Sequence, residues 1–431
     1  MKIKISSLIS IVFIHAIVIK LQCFKNYQTF SILLSVMLLL ILITKIKVFD
    51  KKYIKIHILL LFFLSTLLIS AINNKSNIML GVSYAIKVAD IYLYWEYISN
   101  NRLQKTTMKK ILIILVIIII LGVILTMGIG NYFVNYAIAR SGDGGNREIK
   151  DDSKIEVLGE DEKIIESNRT QAKESSEKWA NNIKKQSVET KANDGINLRG
   201  TEYLTNEEND NWVIIFHGYR AEPKSVLTIG EHFSEKGYNV LIPSMRACAE
   251  SDGDFVGMGW LDKDDLKCWV NLILEQNSNA NIILHGSSMG AATVLMASGD
   301  ELPQNVKAII ADSGYTSVWD IFASEAKARF GIPAFPVLNM FQVVAKIRAG
   351  YDIKKASALE QVKKSNTPIL FIHGDKDDFV PEYMCEKLFD AASCEKEKLI
   401  INGAGHTDGK YREPETYYNK IFEWVNLEYD I

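Results

Sequence analysis

The chain has 431 residues, more than one hydrophobic core usually organises, so at least two structural regions are expected. Its formal net charge of −2, with no basic patch interleaved with aromatics, gives no reason to propose a nucleic-acid partner, and none is expected. Five cysteines (Cys23, Cys248, Cys268, Cys385 and Cys394) contain no C-x-x-C pair, which argues against a zinc ribbon or a thioredoxin-type site, and the odd total leaves at least one thiol without an internal partner.

Isoleucine, leucine, valine and phenylalanine crowd residues 1–139, which read as an all-α transmembrane domain of four or five spans. The apolar stretches are Ile5–Leu21, Phe30–Thr44, Ile56–Ile72, Ile78–Ile98 and Ile111–Ala139. The fourth carries Lys87, Asp90 and Glu96, so it is either a span with an i,i+3 pair or an interfacial amphipathic helix. A signal peptide would be followed by a soluble chain, whereas here more apolar runs follow the first. Basic residues gather before the first stretch, between the second and third, and between the fourth and fifth, where Arg102, Lys105, Lys109 and Lys110 lie. Since Lys and Arg stay on the cytoplasmic side, five spans place everything after Ala139 outside the cell. Were Ile78–Ile98 to lie on the surface instead, that part would be cytoplasmic. The expectation is a multi-pass protein of the cell membrane with an extracellular C-terminal domain.

Residues 140–195 are rich in Lys, Glu, Asp, Ser and Asn and are expected to be a polar linker or stalk, with a surface helix over about 164–187. From residue 196 to 431, short apolar runs alternate with helix-length segments, the pattern of β-α units around a mostly parallel sheet. The expected strands are Trp212–His217, Tyr238–Ile242, Asn281–His285, Val306–Ile310, Pro368–His373 and Leu399–Ile401. A helical insertion over about 317–361 breaks the alternation. Its Phe330, Phe335 and Phe341 favour a lid that lines an acyl pocket over structural padding.

Directly after the third of these strands comes Gly286-Ser287-Ser288-Met289-Gly290, followed by a helix-prone run. A G-x-S-x-G between strand and helix is the setting of a nucleophile held on a sharp turn, where the glycines leave room that side chains would take. Serine needs a base, and in this arrangement the order is Ser, acid, His. Of seven histidines only His373 and His406 follow Ser288. His373 ends a strand and reads as structural, so His406, in a glycine-flanked loop after the last strand, is the candidate base. Asp375, Asp377 and Asp378 compete for the acid, with Asp312 a weaker rival; spacing does not choose among the three. The oxyanion would be held by the backbone N–H of Met289 and of Tyr219, after His217-Gly218.

With those motifs in hand, the region from about Ile196 onward resembles the α/β-hydrolase superfamily, and within it the bacterial membrane-anchored hydrolases grouped with the serine aminopeptidase, monoglyceride-lipase-like and prolyl-oligopeptidase-like branches. The resemblance rests on His217-Gly218, Gly286–Gly290, His373-Gly-x-x-Asp377-x-x-Val380-Pro381 and Gly405-His406. It implies an α/β-hydrolase fold and makes Asp377 the acid. Relatives often carry Asp-x-Arg-Gly-x-Gly-x-Ser-x-Gly where this chain has Ser244-Met-Arg246-Ala247-Cys-Ala249-Glu-Ser251-Asp-Gly253, a departure that touches only the packing of that loop. The reading is a serine hydrolase that forms an acyl-enzyme on Ser288 with a small-molecule acyl substrate, either lipid or peptide, and needs no metal or cofactor. A carboxylesterase or lipase is the first choice, ahead of a peptidase, an acyltransferase and a non-catalytic binding module.

Overall fold

The computed structural model describes residues 102–142, 159–206 and 208–427. The four apolar stretches between Ile5 and Ile98, and with them Cys23 and the first basic loops, lie outside the described residues. The chain divides into two compact units, Met1–Leu121 and Gly122–Ile431.

In the first unit the described part is the beginning of helix α1, Arg102–Ala137. Its β-branched isoleucines are poor helix formers in water, but in hydrocarbon every amide must bond within its own segment, and a helix satisfies that demand. Ile113–Ala137 is long and apolar enough to cross a membrane: 25 residues at ~1.5 Å each reach roughly 37 Å. Ile113 to Leu125 are largely exposed, as expected of a surface that meets lipid.

The last turns of α1, from Gly122, belong to the second unit. This corrects the expected boundary at residue 139, because Val134 and Ile138 are fully buried in the core of the C-terminal unit. An apolar run reads the same whether lipid or protein covers it.

The second unit is built on one eight-stranded sheet with the order β1-β2-β4-β3-β5-β6-β7-β8 among the described residues. The strands are β1 (Lys184–Lys191), β2 (Asn197–Leu204), β3 (Asn211–Phe216), β4 (Asn239–Pro243), β5 (Asn281–Ser287), β6 (Val306–Asp312), β7 (Ile369–Gly374) and β8 (Lys396–Ile401). β1, β2 and β4 pair antiparallel, and β4, β3 and β5 through β8 pair parallel. All six expected strands are present, with ends shifted by up to three residues.

The first strand and the helix before it correct the reading of 140–195 as a stalk. Helix α2 (Glu160–Asn182) buries Ile165 and Ala180, its Trp179 stacks on Tyr203 at 5.0 Å, and β1 is the sheet's outer strand. Apart from Val188, β1 is polar, and its residues are mostly exposed, so it carries no hydrophobic period to betray it.

The strand interior shows why the sheet is covered on both sides. Trp212, Ile214 and Phe216 of β3 enter one core cluster, while Val213 and Ile215, pointing the other way, enter a second. The first cluster is closed by α4 (Asp262–Gln276), α5 (Met289–Ala297) and α9 (Tyr383–Ala391), the second by α3 (Leu227–Glu235) and α11 (Pro414–Leu427). Between β6 and β7 lie α6 (Val318–Phe330), α7 (Ala334–Arg348) and the short α8 (Ala358–Val362), which together form the expected helical insertion. The one-turn helix α10 (Gly409–Arg412) precedes α11.

The loop after β4 departs from the pattern of relatives at two glycines, and the structure shows what those positions require. Ala247 and Ala249 adopt φ of 56° and 42°, the left-handed region that favours glycine. The loop is held instead by polar contacts. Ser251 Oγ donates to Ser244 O and accepts from the Arg199 amide, while Arg246 makes a bidentate pair with Asp265 at 2.5 and 2.7 Å and reaches Asp194 at 2.8 Å. Cys248, Cys268, Cys385 and Cys394 are free thiols, and burial pushes that of Cys248 up to about 11, so it is inert.

Candidate active site

Ser288 stands between β5 and α5 with φ 58° and ψ −114°, a strained conformation for a residue with a side chain. Its amide donates to Asp312 O on the neighbouring strand, which pins the turn. The flanking glycines are dictated by contact: a Cβ on Gly286 would lie 2.2 Å from Gly290 backbone atoms, and one on Gly290 would lie 2.0 Å from Phe216 O. The turn therefore closes only if both residues lack side chains.

His406 reaches this serine from the loop after β8. Its Nε2 lies 2.8 Å from Ser288 Oγ, and its Nδ1 lies 2.7 Å from Asp377 Oδ2. With Nδ1–H donating to the carboxylate, Nε2 is free to accept the serine proton. The ring of Phe379 meets that of His406 edge-on at 4.9 Å and fixes its plane.

Three of the four candidate aspartates have distinct contacts. Asp377 is buried, and its Oδ1 accepts the amides of Phe379 and Val380 at 3.0 and 2.8 Å. Burial works to raise its pKa, but the bonds to His373 and His406 outweigh this and hold the carboxyl well below its usual range. Asp375 Oδ1 accepts the Gly403 amide at 2.6 Å and so braces the loop that carries His406. Asp312 accepts from Tyr417 and Ser313. Asp378 is not among the groups bonded to His406.

His373 is more than a strand-end residue. Its Nε2 lies 2.8 Å from Val380 O and 3.3 Å from Asp377 Oδ2, so it holds the turn that presents the carboxylate. The histidine four residues before the acid was the available signal for this positioning contact.

On the other side of the serine, Gly218 lies so near that a Cβ there would sit 3.5 Å from Ser288 Cβ, which brings the loop bearing Tyr219 beside the nucleophile. Met289 is the first residue of α5, and first-turn amides have no acceptor within the helix. His217 shapes this loop: its Nε2 accepts the Met245 amide and its Nδ1 lies 2.9 Å from Gly218 O.

Burial lowers the pKa of His217 to about 4 and that of His285 to about 3. Below pH 6.5 the unfolded chain takes up protons that the folded one refuses, so stability falls as pH drops from 6.5 towards 4. His217 alone accounts for up to about 3 kcal/mol of this loss. Thermal unfolding between pH 7 and 4.5 is expected to show a falling Tm that His217→Gln flattens; a profile that His217→Gln leaves unaltered would assign the acid sensitivity elsewhere.

Two cavities meet at Ser288. One is apolar, walled by Phe322, Leu338 and Phe341 of the insertion, by Tyr219, and by Phe133 and Ala137 of α1. The other is mixed, more polar than the first, and includes Ser225, Val226, Phe379, His406, Thr407 and Lys410. A reacting carbonyl at Ser288 thus has an apolar space on one side and a mixed, more polar space on the other. The insertion contributes Phe322, Leu338 and Phe341 to the lining of the apolar cavity.

Residues 211–331 match the family model described as alpha/beta hydrolase fold. The chain is similar to the uncharacterized protein YqkD of Bacillus subtilis, 28% identical over 233 residues that cover 54% of this chain and 76% of that one. It is also similar to an uncharacterized membrane protein of Saccharomyces cerevisiae, 24% identical over 178 residues, 41% of this chain and 56% of that one. Among solved structures, an esterase of Pyrococcus furiosus aligns over 57% of this chain and 92% of its own, with 21% identity and a TM-score of 0.47.

Proposed function

We propose that this chain, a member of the α/β-hydrolase superfamily, is a membrane-bound serine hydrolase that cleaves carboxylic esters through an acyl-enzyme on Ser288. The observation that carries the reading is the continuous relay from Ser288 Oγ through His406 to Asp377 at 2.8 and 2.7 Å, on a strained turn.

Ser288 Oγ attacks the ester carbonyl while His406 Nε2 takes the hydroxyl proton, and the oxyanion that forms lies by the amides of Tyr219 and Met289. The C–O bond to the alcohol breaks as His406 returns the proton to the leaving oxygen. Water then attacks the acyl-enzyme with His406 again as base, and the acid leaves with Ser288 restored. Asp377, held ionised, keeps Nδ1 protonated and stabilises the imidazolium of each step.

An ester substrate fits the walls better than a peptide amine. An aminopeptidase needs a carboxylate to hold an ammonium group, and Glu325, the acidic residue lining the apolar cavity, is paired with Arg329 at 2.6 Å. The cationic Lys410 lines the opposite cavity. We place the catalytic unit on the outer side, because Arg102, Lys105, Lys109 and Lys110 stand at the far end of α1.

A fluorophosphonate probe that cannot enter cells tests both parts. Labelling on intact cells that Ser288→Ala abolishes is the expected result. Labelling only after lysis would reverse the orientation, and none from folded protein would remove the hydrolase reading. Asp377→Asn, which leaves the ring without a charged partner, is expected to lower kcat by about 10⁴ with little change in KM.

A further inference from the structure

α1 does not end as a tether beside the catalytic unit; its last turns are part of the wall of the apolar cavity. Phe133 and Ala137 line that cavity together with Ser288, and Phe133 and Tyr136 meet Phe330 of the insertion edge-on at 6.1 and 5.7 Å. The Tyr219 hydroxyl donates to Ala137 O, Arg220 donates to Ala139 O, and the Val256 amide donates to Ile138 O at 2.7 Å. The helix end is thereby fastened to the loop that flanks the nucleophile.

The insertion packs on the same helix. A Cβ on Gly130 would lie 2.4 Å from Met340 O, so the backbones of α1 and α7 touch, and Arg348 donates to Asn131 and Asn135 at 2.5 and 2.6 Å. Beyond this contact α7 shows an apolar outer face: Phe335, Val343 and Ile347 are 76%, 46% and 66% exposed. Large apolar side chains exposed together are unusual on a surface that meets only water.

The length of α1 sets the depth of these features. From Ile111, just after Lys109 and Lys110, to Gly130 is a rise of roughly 30 Å, the thickness of the hydrocarbon core. Phe133, Tyr136 and Ala137 then come at headgroup level, with Tyr132 and Arg348 where interfacial aromatic and basic residues are usual. Gly130, which touches α7, and Phe133 and Ala137, which line the cavity, lie within about 11 Å along α1.

The geometry points to a long-chain acyl ester of a membrane lipid as the substrate, whose chain passes from the leaflet into a cavity that α1 and the insertion share. This rests on the ester-hydrolase reading and deepens it. The acyl chain lies along Phe133, Ala137, Leu338 and Phe341, while the head remains on the more polar side near Lys410. The spanning helix is thus a specificity element as well as an anchor.

The test uses the full chain in nanodiscs, with a lauroyl ester in the bilayer and the butyryl ester of the same alcohol in water. Ala137→Phe, which fills the cavity from the helix side, is expected to lower the lauroyl-to-butyryl ratio of kcat/KM at least tenfold. Ile117→Ala, on the exposed stretch of α1, is expected to leave the ratio unchanged. Phe133→Ala, which widens the cavity, serves as a second variant and should move the preferred chain length upward. Equal losses on both esters, or an unaltered ratio in both cavity variants, would overturn the inference while fluorophosphonate labelling left the hydrolase reading standing. Failure of the parent protein to label would sink that reading, and this one with it.

Discussion

Replacing Ser288 by alanine is expected to lower ester turnover on the order of 10⁶-fold and to abolish fluorophosphonate labelling, while the protein stays folded. In the proposed mechanism the hydroxyl acts through His406, 2.8 Å away, so the two residues should behave as one unit. The double variant Ser288→Ala/His406→Ala should therefore lose little beyond the single Ser288 change, instead of the product of two losses. Rates measured for both single variants and the double variant check this. Multiplicative losses would mean that His406 acts elsewhere and that the 2.8 Å contact is not the route of the proton.

The second large effect falls on stability. Arg246→Ala is expected to destabilise the catalytic unit by about 3–5 kcal/mol, because it leaves Asp265 without its guanidinium in a buried site. Arg246→Lys should recover only part of this, since an ammonium cannot make the two parallel bonds seen here. Joint replacement, Arg246→Met with Asp265→Leu, should be nearly neutral, because it removes both charges together. Chemical denaturation with intrinsic tryptophan fluorescence reads all three. A small effect of Arg246→Ala would show that Asp265 finds another partner or takes up a proton.

The parts of the site that were legible in the sequence are those where backbone geometry admits few residue types. Gly286 and Gly290 are required by contacts of 2.2 and 2.0 Å, so the turn and its serine stand out in any reading. His406 followed from chain order, and the structure brings it to Ser288. Asp377 needed the resemblance to relatives, because nothing in the spacing of three aspartates says which carboxylate turns inward; the bonds that choose it come from Phe379, Val380 and His373.

What stayed hidden is also physical. β1 and β2 escaped because a polar outer strand has no hydrophobic period, and because the fully buried Glu202 of β2 is satisfied by Gln186 and Gln276, which are remote in sequence. The role of the α1 terminus escaped because Val134 and Ile138 would look the same in lipid. Composition records that a side chain avoids water and does not record what covers it.

β1 also bears on how copies of this chain meet, since the outer strand of a sheet is a template on which a second copy can add its own strand. Lys184, Lys185 and Lys191 against the single Glu189 give this strand a net positive charge, so two copies approaching strand to strand repel each other. Among the described residues the sheet terminates in a strand that discourages its own extension.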